Sequence, residues 1–267
     1  MINGLANINV ELTSRCNKAC WICPRRDRDK LVGDQDYGDM KMDLVEKLSK
    51  QIPSGISVQL HNNGEPLLYP YFESALYFFQ KHVTNIVTNG KLLVEKKNAI
   101  CGNGFYKGLD TLSVSVFEDD PEQEEQFEIL KEFLVWKGDR KPFVTARLIG
   151  KVNALKYRAL GLLIIRRTLH STKGSISYKR TPVIPEVGYC WDMATRLAVD
   201  RYGDVSPCVR YDPDRELVLG NINDSTLDEI WNCKKRKDMI EMHISGKRNE
   251  IPYCGNKCEY WGVPTGS

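Results

Sequence analysis

The sequence predicts an α/β protein built on a parallel sheet. Short β-rich runs alternate with helical patterns through the first 180 residues, which is typical of parallel strands joined by right-handed crossovers. A complete eight-unit barrel usually needs about 250 residues, so a partial (β/α)6 barrel over 1–180 fits better. From residue 181 onward, an extended linker, a hairpin and clustered cysteines predict a second, smaller domain over 181–267.

Six strands are predicted where β-branched and apolar residues alternate, at 7–12, 56–61, 84–88, 110–116, 143–149 and 174–179. Helices are predicted between them, at 43–52, 73–82, 91–100, 121–137 and 153–169. The helix over 121–137 has the clearest signals, because Asp120 can cap it, Pro121 suits its first turn and Gly138 can end it. Its expected buried stripe is Phe127, Leu130 and Leu134.

In the smaller domain, Tyr202-Gly203-Asp204 predicts the turn of a hairpin. A helix is predicted near 225–243, where Ser225-x-x-Asp228 is close to a capping box. Its expected buried residues are Leu227, Ile230 and Trp231.

Composition narrows the class of protein. The chain has 267 residues, 42% of them hydrophobic and 27% charged, which is ordinary for a soluble globular protein. A net charge of +3 does not indicate a nucleic-acid partner, and the basic cluster at 25–30 is expected to be a solvated loop. Neither a signal peptide nor a membrane-spanning run is visible, so we expect a cytoplasmic protein without a membrane partner. Nine cysteines in such a chain favour metal or redox use over disulfides.

Three cysteines with spacing C-x3-C-x2-C, Cys16, Cys20 and Cys23, directly follow the first predicted strand. A loop this short can place three thiolates around one compact metal centre but cannot supply a fourth. A cubane iron–sulfur cluster held in this way keeps one iron free for an outside ligand. A zinc site would need a fourth ligand, and the nearest other candidate is the distant His61. A redox pair would need only C-x2-C.

This loop, with the apolar Ile22 before its last cysteine, resembles the signature of the radical S-adenosylmethionine (radical SAM) superfamily. The resemblance implies closure of the strands into a TIM-like barrel and a 4Fe–4S cluster whose open iron binds SAM. It also implies reductive cleavage of SAM to methionine and a 5′-deoxyadenosyl radical, which abstracts hydrogen from the substrate. The electron for that cleavage would come from an external one-electron reductant such as flavodoxin or ferredoxin.

The turn Asn63-Gly64-Glu65-Pro66 follows the second predicted strand and resembles the superfamily's Gly-Gly-Glu-Pro motif, which receives the SAM amino group. Asn63 stands where the motif has its first glycine. By itself Gly-Glu-Pro is a common turn. The resemblance further implies SAM contacts from residues at the ends of later strands and beside the adenine, namely Asn89, Ser115, Arg147 and Ile22.

A second group of cysteines lies in the smaller domain. Cys190 and Cys208 have 17 residues between them, and Cys254 and Cys258 form C-x3-C. Together they complete a four-thiolate shell, for which a structural zinc is the alternative occupant. The spacing resembles the Twitch variety of the SPASM-type extension, which implies one auxiliary 4Fe–4S cluster. The two remaining cysteines, Cys101 and Cys233, are expected to be small apolar fillers.

The chain most resembles the Twitch-type dehydrogenases of the superfamily. That likeness implies oxidation of an alcohol carbon of a small-molecule substrate, with the auxiliary cluster as electron acceptor. One alternative is peptide modification; with the first strand beginning by residue 7, there is no room for the peptide-recognition domain common in such enzymes. Another is a non-catalytic electron carrier, against which the three-cysteine loop counts. The pattern assigns no catalytic base among His61, Glu118, His170 and Lys179.

Overall fold

The computed structural model describes residues 2–21, 23, 37–167, 190–209, 212 and 214–258. These residues form nine strands: β1 (Asn7–Val10), β2 (Ser57–Gln59), β3 (Val83–Thr88), β4 (Thr111–Phe117), β5 (Phe143–Ile149), β6 (Leu163–Arg167), β7 (Arg196–Val199), β8 (Asp204–Ser206) and β9 (Gly220–Asn221). Their helices are α1 (Met42–Ser49), α2 (Phe72–Phe79), α3 (Lys97–Cys101), α4 (Gln123–Lys137), α5 (Ala154–Arg158), α6 (Trp191–Thr195), α7 (Leu227–Trp231) and α8 (Lys234–Ile244). No helix in these ranges is long and apolar enough to cross a membrane.

All nine strands belong to one sheet in the order β6-β5-β4-β3-β2-β1-β7-β8-β9. The strands from β6 to β7 are parallel neighbours, which confirms the predicted α/β class. Strands β8 and β9 then extend the sheet in antiparallel pairs. The predicted turn at Tyr202-Gly203-Asp204 joins β7 to β8, with Gly203 at φ +90°. The predicted boundary near residue 180 lies outside the described residues.

The two faces of the sheet differ in chemistry because successive side chains of a strand point to opposite sides. One face is apolar and belongs to the main core, with Ile8, Val58, Ile86, Leu112 and Val144 as examples. The opposite face carries a polar row across β1 to β4, formed by Asn9, Gln59, Asn85 and Thr111. Two residues further along the strands, Ser113 and Thr145 are paired, and their hydroxyls lie 2.8 Å apart.

Helix α4 begins two residues later than predicted, so Pro121 lies before its first turn and the N-cap residue is Glu122, which makes no side-chain capping bond. Asp120, the predicted cap, instead accepts a hydrogen bond from the Glu122 N–H at 3.2 Å. Gly138 ends the helix at φ +56°, as predicted. The predicted set of buried residues on this helix is wrong by one position at two of its three members. The buried residues are Gln126, Leu130 and Phe133, whereas the predicted Phe127 and Leu134 are only partly buried.

Strand β6 lies where the sequence predicts the second half of a helix. The helix expected over 153–169 ends at Arg158, and Leu163–Arg167 pairs in parallel with β5. The physical reason is visible in the burial pattern. Leu163 is 56% exposed while Ile164 packs against the core, which is the two-residue period of a strand. The strand expected over 174–179 lies outside the described residues.

The helix expected over 225–243 is two helices, α7 and α8. A capping box of Thr226 and Glu229 opens α7, one residue later than the predicted Ser225 and Asp228. The predicted Leu227, Ile230 and Trp231 are buried. Cys233, expected in mid-helix, caps α8, and its Sγ accepts the Arg236 N–H at 3.5 Å. Cys101 ends α3 and packs against the main core.

Candidate cofactor sites

The three-cysteine loop follows β1 at the carboxyl edge of the parallel strands. Cys16 is exposed, Cys20 and Cys23 are half-buried, and the Cys23 N–H donates to the Cys20 carbonyl at 3.0 Å. Burial raises the pKa of Cys20 to about 12; Lys18 opposes this shift, and Cys23 and Cys16 add to it. The three sulfurs therefore lie within electrostatic reach of one another, and coordination to a metal is what removes a proton from such a thiol.

The donor set of this loop fits an iron–sulfur cluster with an open iron. Among the described residues, no three His, Cys, Asp or Glu side chains converge as a single metal ion requires. A four-iron cluster is larger than one ion and takes its thiolates at separate irons. Three thiols on one short loop match three of its corners.

A buried ion pair fastens the middle of the cysteine loop. The Lys18 Nζ lies 2.6 Å from an Asp120 carboxylate oxygen, and the two side chains are 4% and 5% exposed. Lys18 also lies 3.2 Å from Glu122, which in turn lies 2.7 Å from Lys91. Burial lowers the pKa of Lys18, but hydrogen bonds to Asp120 and Glu122 outweigh it, so the pKa is raised. Lys18 is therefore charged at neutral pH.

Two neutral hydrogen bonds hold the same loop from other sides. The Asn89 amide donates to the Asn17 side-chain oxygen at 2.8 Å, and the Trp21 indole donates to the Glu118 carbonyl at 3.1 Å. The loops that follow β3 and β4 thus grip the cysteine loop from two directions. Of these anchors, only Asn89 is among the site residues predicted from the sequence.

Gly64 packs directly against the chain that leads into the cysteine loop. A Cβ atom at this position would lie 2.1 Å from the Thr13 carbonyl oxygen and 2.8 Å from that of Arg15. The following Glu65 N–H donates to the Arg15 carbonyl at 2.8 Å. The turn after β2 and the cysteine loop are therefore one packed unit, and only glycine fits at their contact.

Glu65 braces this unit with a carboxylate that is almost fully buried. Its oxygens accept hydrogen bonds from the Leu67 N–H at 3.2 Å, the Thr88 hydroxyl at 2.8 Å and the Asn89 N–H at 2.8 Å. Burial raises the pKa of Glu65, and these hydrogen bonds oppose the shift. These hydrogen bonds tie the end of β2 to the end of β3, and Pro66 opens the short helical turn Pro66–Leu68 beside it. A contact from Glu65 or Pro66 to SAM stays a prediction.

Asn63 reaches back to Glu11, a residue that the sequence analysis missed. The Asn63 backbone N–H and side-chain amide donate to one Glu11 carboxylate oxygen at 3.2 and 2.9 Å. Glu11 is only 5% exposed. A usable signal was its place in the alternation Asn7, Asn9, Glu11, which puts a charged residue on the polar face at the end of β1.

Gln126 is a second residue that the sequence analysis missed. Its side-chain amide donates to the Asn89 carbonyl at 2.6 Å and to the Ser115 carbonyl at 2.9 Å, and the residue is 2% exposed. It therefore links α4 to two of the predicted SAM-binding positions. The only signal was a polar residue one position away from the expected apolar stripe.

Ser115 and Arg147 are neighbours in register on β4 and β5. Burial, together with the positive charge of Arg147, lowers the pKa of His61 to about 3. The His61 Nδ1 accepts the Val87 N–H at 3.1 Å. Neutral His61 and charged Arg147 therefore lie close together on the polar side of the sheet.

The remaining candidates are less central. The Glu118 carboxylate accepts a hydrogen bond from the Lys151 N–H at 2.6 Å, and this bond supports the turn after β5. Ile22, His170 and Lys179 lie outside the described residues.

The four cysteines of the smaller domain gather around one apolar cluster. Cys190 caps α6, Cys208 follows β8, and Cys254 and Cys258 lie in and just after the wide helical turn Tyr253–Lys257. The shared cluster contains Met193, Leu217, Met239, Ile251, Tyr253 and Cys254, and the other three cysteines pack against it. Burial, reinforced by Cys258 and Cys190, raises the pKa of Cys254 to about 12. Four thiols in an apolar pocket fit a fully ligated cluster.

Known proteins are similar to this chain both in its carboxyl-terminal cysteine region and in its overall fold. The family model for SPASM, described as an iron–sulfur cluster-binding domain, matches residues 190–259, which include all four of these cysteines. Similar structures include BtrN in complex with AdoMet and 2-DOIA, at 19% identity and a TM-score of 0.62, covering 96% of this chain and 94% of BtrN. They also include Streptococcus suis SuiB bound to S-adenosylmethionine, at 13% identity and a TM-score of 0.65, covering 92% of this chain and 68% of SuiB.

These findings show what the chain is similar to: residues 190–259 match the SPASM iron–sulfur cluster-binding domain, and the chain as a whole resembles SAM-dependent enzymes. Among curated proteins, it is similar to the S-adenosyl-L-methionine-dependent 2-deoxy-scyllo-inosamine dehydrogenase of Niallia circulans. The two are 27% identical over 272 residues, which cover 97% of this chain and 94% of the relative. The predicted resemblance to radical SAM enzymes with a SPASM-type extension and the predicted TIM-like α/β fold are confirmed.

Proposed function

We propose that this enzyme oxidises an alcohol carbon of a small polar molecule by SAM-dependent radical chemistry. The observation that carries the proposal is the three-thiol loop, packed against the Gly64 turn at the carboxyl edge of the parallel strands. Similarity to a dehydrogenase along 97% of the chain supports the reaction type. The polar row of Asn9, Gln59, Asn85 and Thr111 supports a hydroxylated substrate, because amide and hydroxyl groups form hydrogen bonds with hydroxyls. Within the row, the Asn85 amide donates to the Thr111 hydroxyl at 2.6 Å, and the Asn9 amide donates to the His61 carbonyl at 3.1 Å.

The cysteines are assigned to two 4Fe–4S clusters. Cys16, Cys20 and Cys23 hold the SAM-binding cluster, and Cys190, Cys208, Cys254 and Cys258 hold an auxiliary cluster. The turn from Asn63 to Pro66 receives the methionine end of SAM. Glu11 supports this assignment, because its buried carboxylate places negative charge where the superfamily motif receives the SAM ammonium group. Asn89, Ser115 and Arg147 complete the SAM contacts, with the Arg147 guanidinium suited to a carboxylate.

When bound, the first cluster with SAM supplies hydrogen abstraction, and the auxiliary cluster supplies one-electron acceptance. A substrate carbinol that loses its carbon-bound hydrogen, then one electron and the hydroxyl proton, becomes a ketone. The chain's own contribution is placement, because small displacements of reacting atoms are costly in rate. The Lys18, Asn17 and Trp21 anchors hold the cysteine loop in place, and the polar face orients the substrate.

The test is anaerobic reconstitution followed by reaction with SAM, dithionite and polyols or aminocyclitols deuterated at single carbinol carbons. We expect deuterium to appear in 5′-deoxyadenosine and a ketone to accumulate for the substrate with the correct label. Cys16→Ala should abolish SAM cleavage. A fully iron-loaded wild-type protein that forms no 5′-deoxyadenosine would contradict the proposal and favour an electron carrier.

A second candidate function is peptide modification. The structure is also similar to SuiB bound to its precursor peptide SuiA, at 15% identity and a TM-score of 0.56, covering 97% of this chain and 72% of SuiB. The same deuterium assay with labelled peptides distinguishes the two functions. In either case the enzyme needs an external one-electron reductant such as flavodoxin or ferredoxin.

A further inference from the structure

We infer that Lys18 is a positioning residue whose buried charge, through its ion pair with Asp120, sets the reduction potential of the SAM-binding cluster. This inference rests on the proposed function, since Cys16, Cys20 and Cys23 must hold that cluster. Lys18 lies between the first two of these cysteines, and its side chain turns inward, away from solvent. Its effect on the reaction is therefore exerted through the cluster and not by contact with substrate.

The ion pair is both buried and fixed. Lys18 Nζ and Asp120 Oδ2 are 2.6 Å apart, and their side chains are 4% and 5% exposed, so water and salt screen their charges weakly. The other Asp120 oxygen accepts the Glu122 N–H at 3.2 Å, which stops the carboxylate from turning away. The pair thus joins the cysteine loop to the start of α4 in one arrangement.

Among the described residues, the charged groups in this ion-pair network around Lys18 are balanced. Lys18 and Lys91 contribute two positive charges, and Asp120 and Glu122 contribute two negative charges. Loss of the Lys18 charge leaves an uncompensated negative charge beside the cysteine loop, and loss of the Asp120 charge leaves a positive one. Reduction adds an electron to a cluster, so a nearby negative charge disfavours it and a positive charge favours it.

The Lys18–Asp120 ion pair is not required merely to hold the cysteine loop in place. The loop is already held by the Asn89–Asn17 and Trp21–Glu118 hydrogen bonds. In addition, an apolar pair of similar volume often stabilises a buried position as well as an ion pair does. What a lysine and an aspartate add at this position is charge beside the cluster.

The test is a redox titration of the reconstituted full-length protein, followed by electron paramagnetic resonance with and without SAM. The signal that changes on addition of SAM reports the first cluster. We expect Lys18→Met to lower its potential, Asp120→Asn to raise it, and Lys18→Arg to leave it near the wild-type value. Shifts of both variants in the same direction, or no shift in either, would overturn the inference, because loosening of the loop alone cannot produce opposite signs.

The matched control is the exposed pair Lys131–Glu128 on α4, whose side chains are 53% and 65% exposed. Lys131→Met and Glu128→Gln should leave the potential unchanged, and a shift in either as large as that of Lys18→Met counts against the inference. If Lys18→Met takes up little iron, the double variant with Asp120→Asn decides. Restored iron content supports the charge balance, and a double variant as poor as the single one overturns it. A wild-type protein without a SAM-responsive signal would instead defeat the proposed function itself.

Discussion

Gly64 and Thr13 are in such close contact that a Cβ atom on Gly64 would lie 2.1 Å from the Thr13 carbonyl oxygen. The motif after β2 and the entry to the cysteine loop therefore share one packed backbone. Gly64 belongs to a turn whose sequence resembles a ligand-binding motif. The close contact with Thr13 by itself already requires a residue without a Cβ atom at this position.

Gly64→Ala should push the β2 turn away from the cysteine loop. Overpacking of a close contact costs roughly 1–3 kcal/mol, so we expect a lower melting temperature of the metal-free protein. We also expect weaker SAM binding by the loaded protein, measured by equilibrium dialysis. The control is Gly55→Ala, where nothing lies within 4 Å and only the backbone at φ +84° is strained. SAM binding equal to that of the wild type in Gly64→Ala would contradict the packing argument.

His61 should stay neutral well below pH 6. Burial, together with the positive charge of Arg147, lowers the pKa of His61 in the folded protein to about 3, whereas its usual value is 6.5. Between pH 3 and pH 6.5, His61 binds more protons in the unfolded chain than in the folded one. The contribution of neutral His61 to the free energy of unfolding is therefore complete above pH 6.5 and is lost as the pH falls toward 3. The expected loss is about 2 kcal/mol at pH 5.

Urea unfolding of the metal-free protein at pH 7 and pH 5 measures this loss. His61→Asn, which keeps an acceptor for the Val87 N–H, is the comparison and should lose less stability over the same interval. Nitrogen-15 NMR of the labelled ring checks the protonation state directly. An imidazolium signal for His61 at pH 6 would show that the ring is not held neutral.

Cys254→Ala should leave SAM cleavage intact and stop substrate oxidation. Removal of one of four thiolates should reduce the bound iron from about eight atoms to about four per chain. Iron analysis and product analysis on the same preparation make the measurement. Cys233→Ser is the matched control, because Cys233 only caps α8 and a serine can do the same. Retained oxidation by Cys254→Ala would remove the proposed electron-acceptor role.

Gln126→Leu should destabilise the contact of α4 with the residues that follow β3 and with β4. The change leaves the buried Asn89 and Ser115 carbonyls without this donor, and an unsatisfied buried group costs about 1–3 kcal/mol. We expect a clear drop in the melting temperature and slower SAM cleavage. Gln123→Ala, which loses one bond to the Phe117 carbonyl at the helix start, is the milder control. Equal effects of the two variants would argue against a special role for Gln126.

Much of the architecture was predictable because its signals are local. The first five strands lie within a few residues of the positions predicted from alternation. The assignment of the cysteine loop rests on its C-x3-C-x2-C spacing and on the resemblance to the superfamily signature. The helix predicted over 153–169 is wrong in its second half, because a short apolar run such as Leu162 to Ile165 fits a helix and a strand about equally well. Only its pairing with β5 decides between the two.

The supports of the site were harder to predict because they depend on contacts between distant segments. Lys18 and Asp120 are 102 residues apart in the chain, and each alone is an ordinary surface type of residue. Glu11 and Gln126 gain their roles only when the ends of several strands meet at one edge. For such residues, the three-dimensional contact is the signal.

The parallel pairing of β1 with β7 makes the amino-terminal strand an internal strand of the sheet. A shortened chain ending before Cys190 would strip one side of β1 of its backbone partners. It would also remove Trp231, whose indole donates to the Asn3 carbonyl at 3.1 Å. Such an unprotected strand edge readily pairs with other chains, so we expect both halves to aggregate when they are expressed separately. Exchange of the carboxyl-terminal part between related enzymes would therefore have to preserve the pairing of β1 with β7.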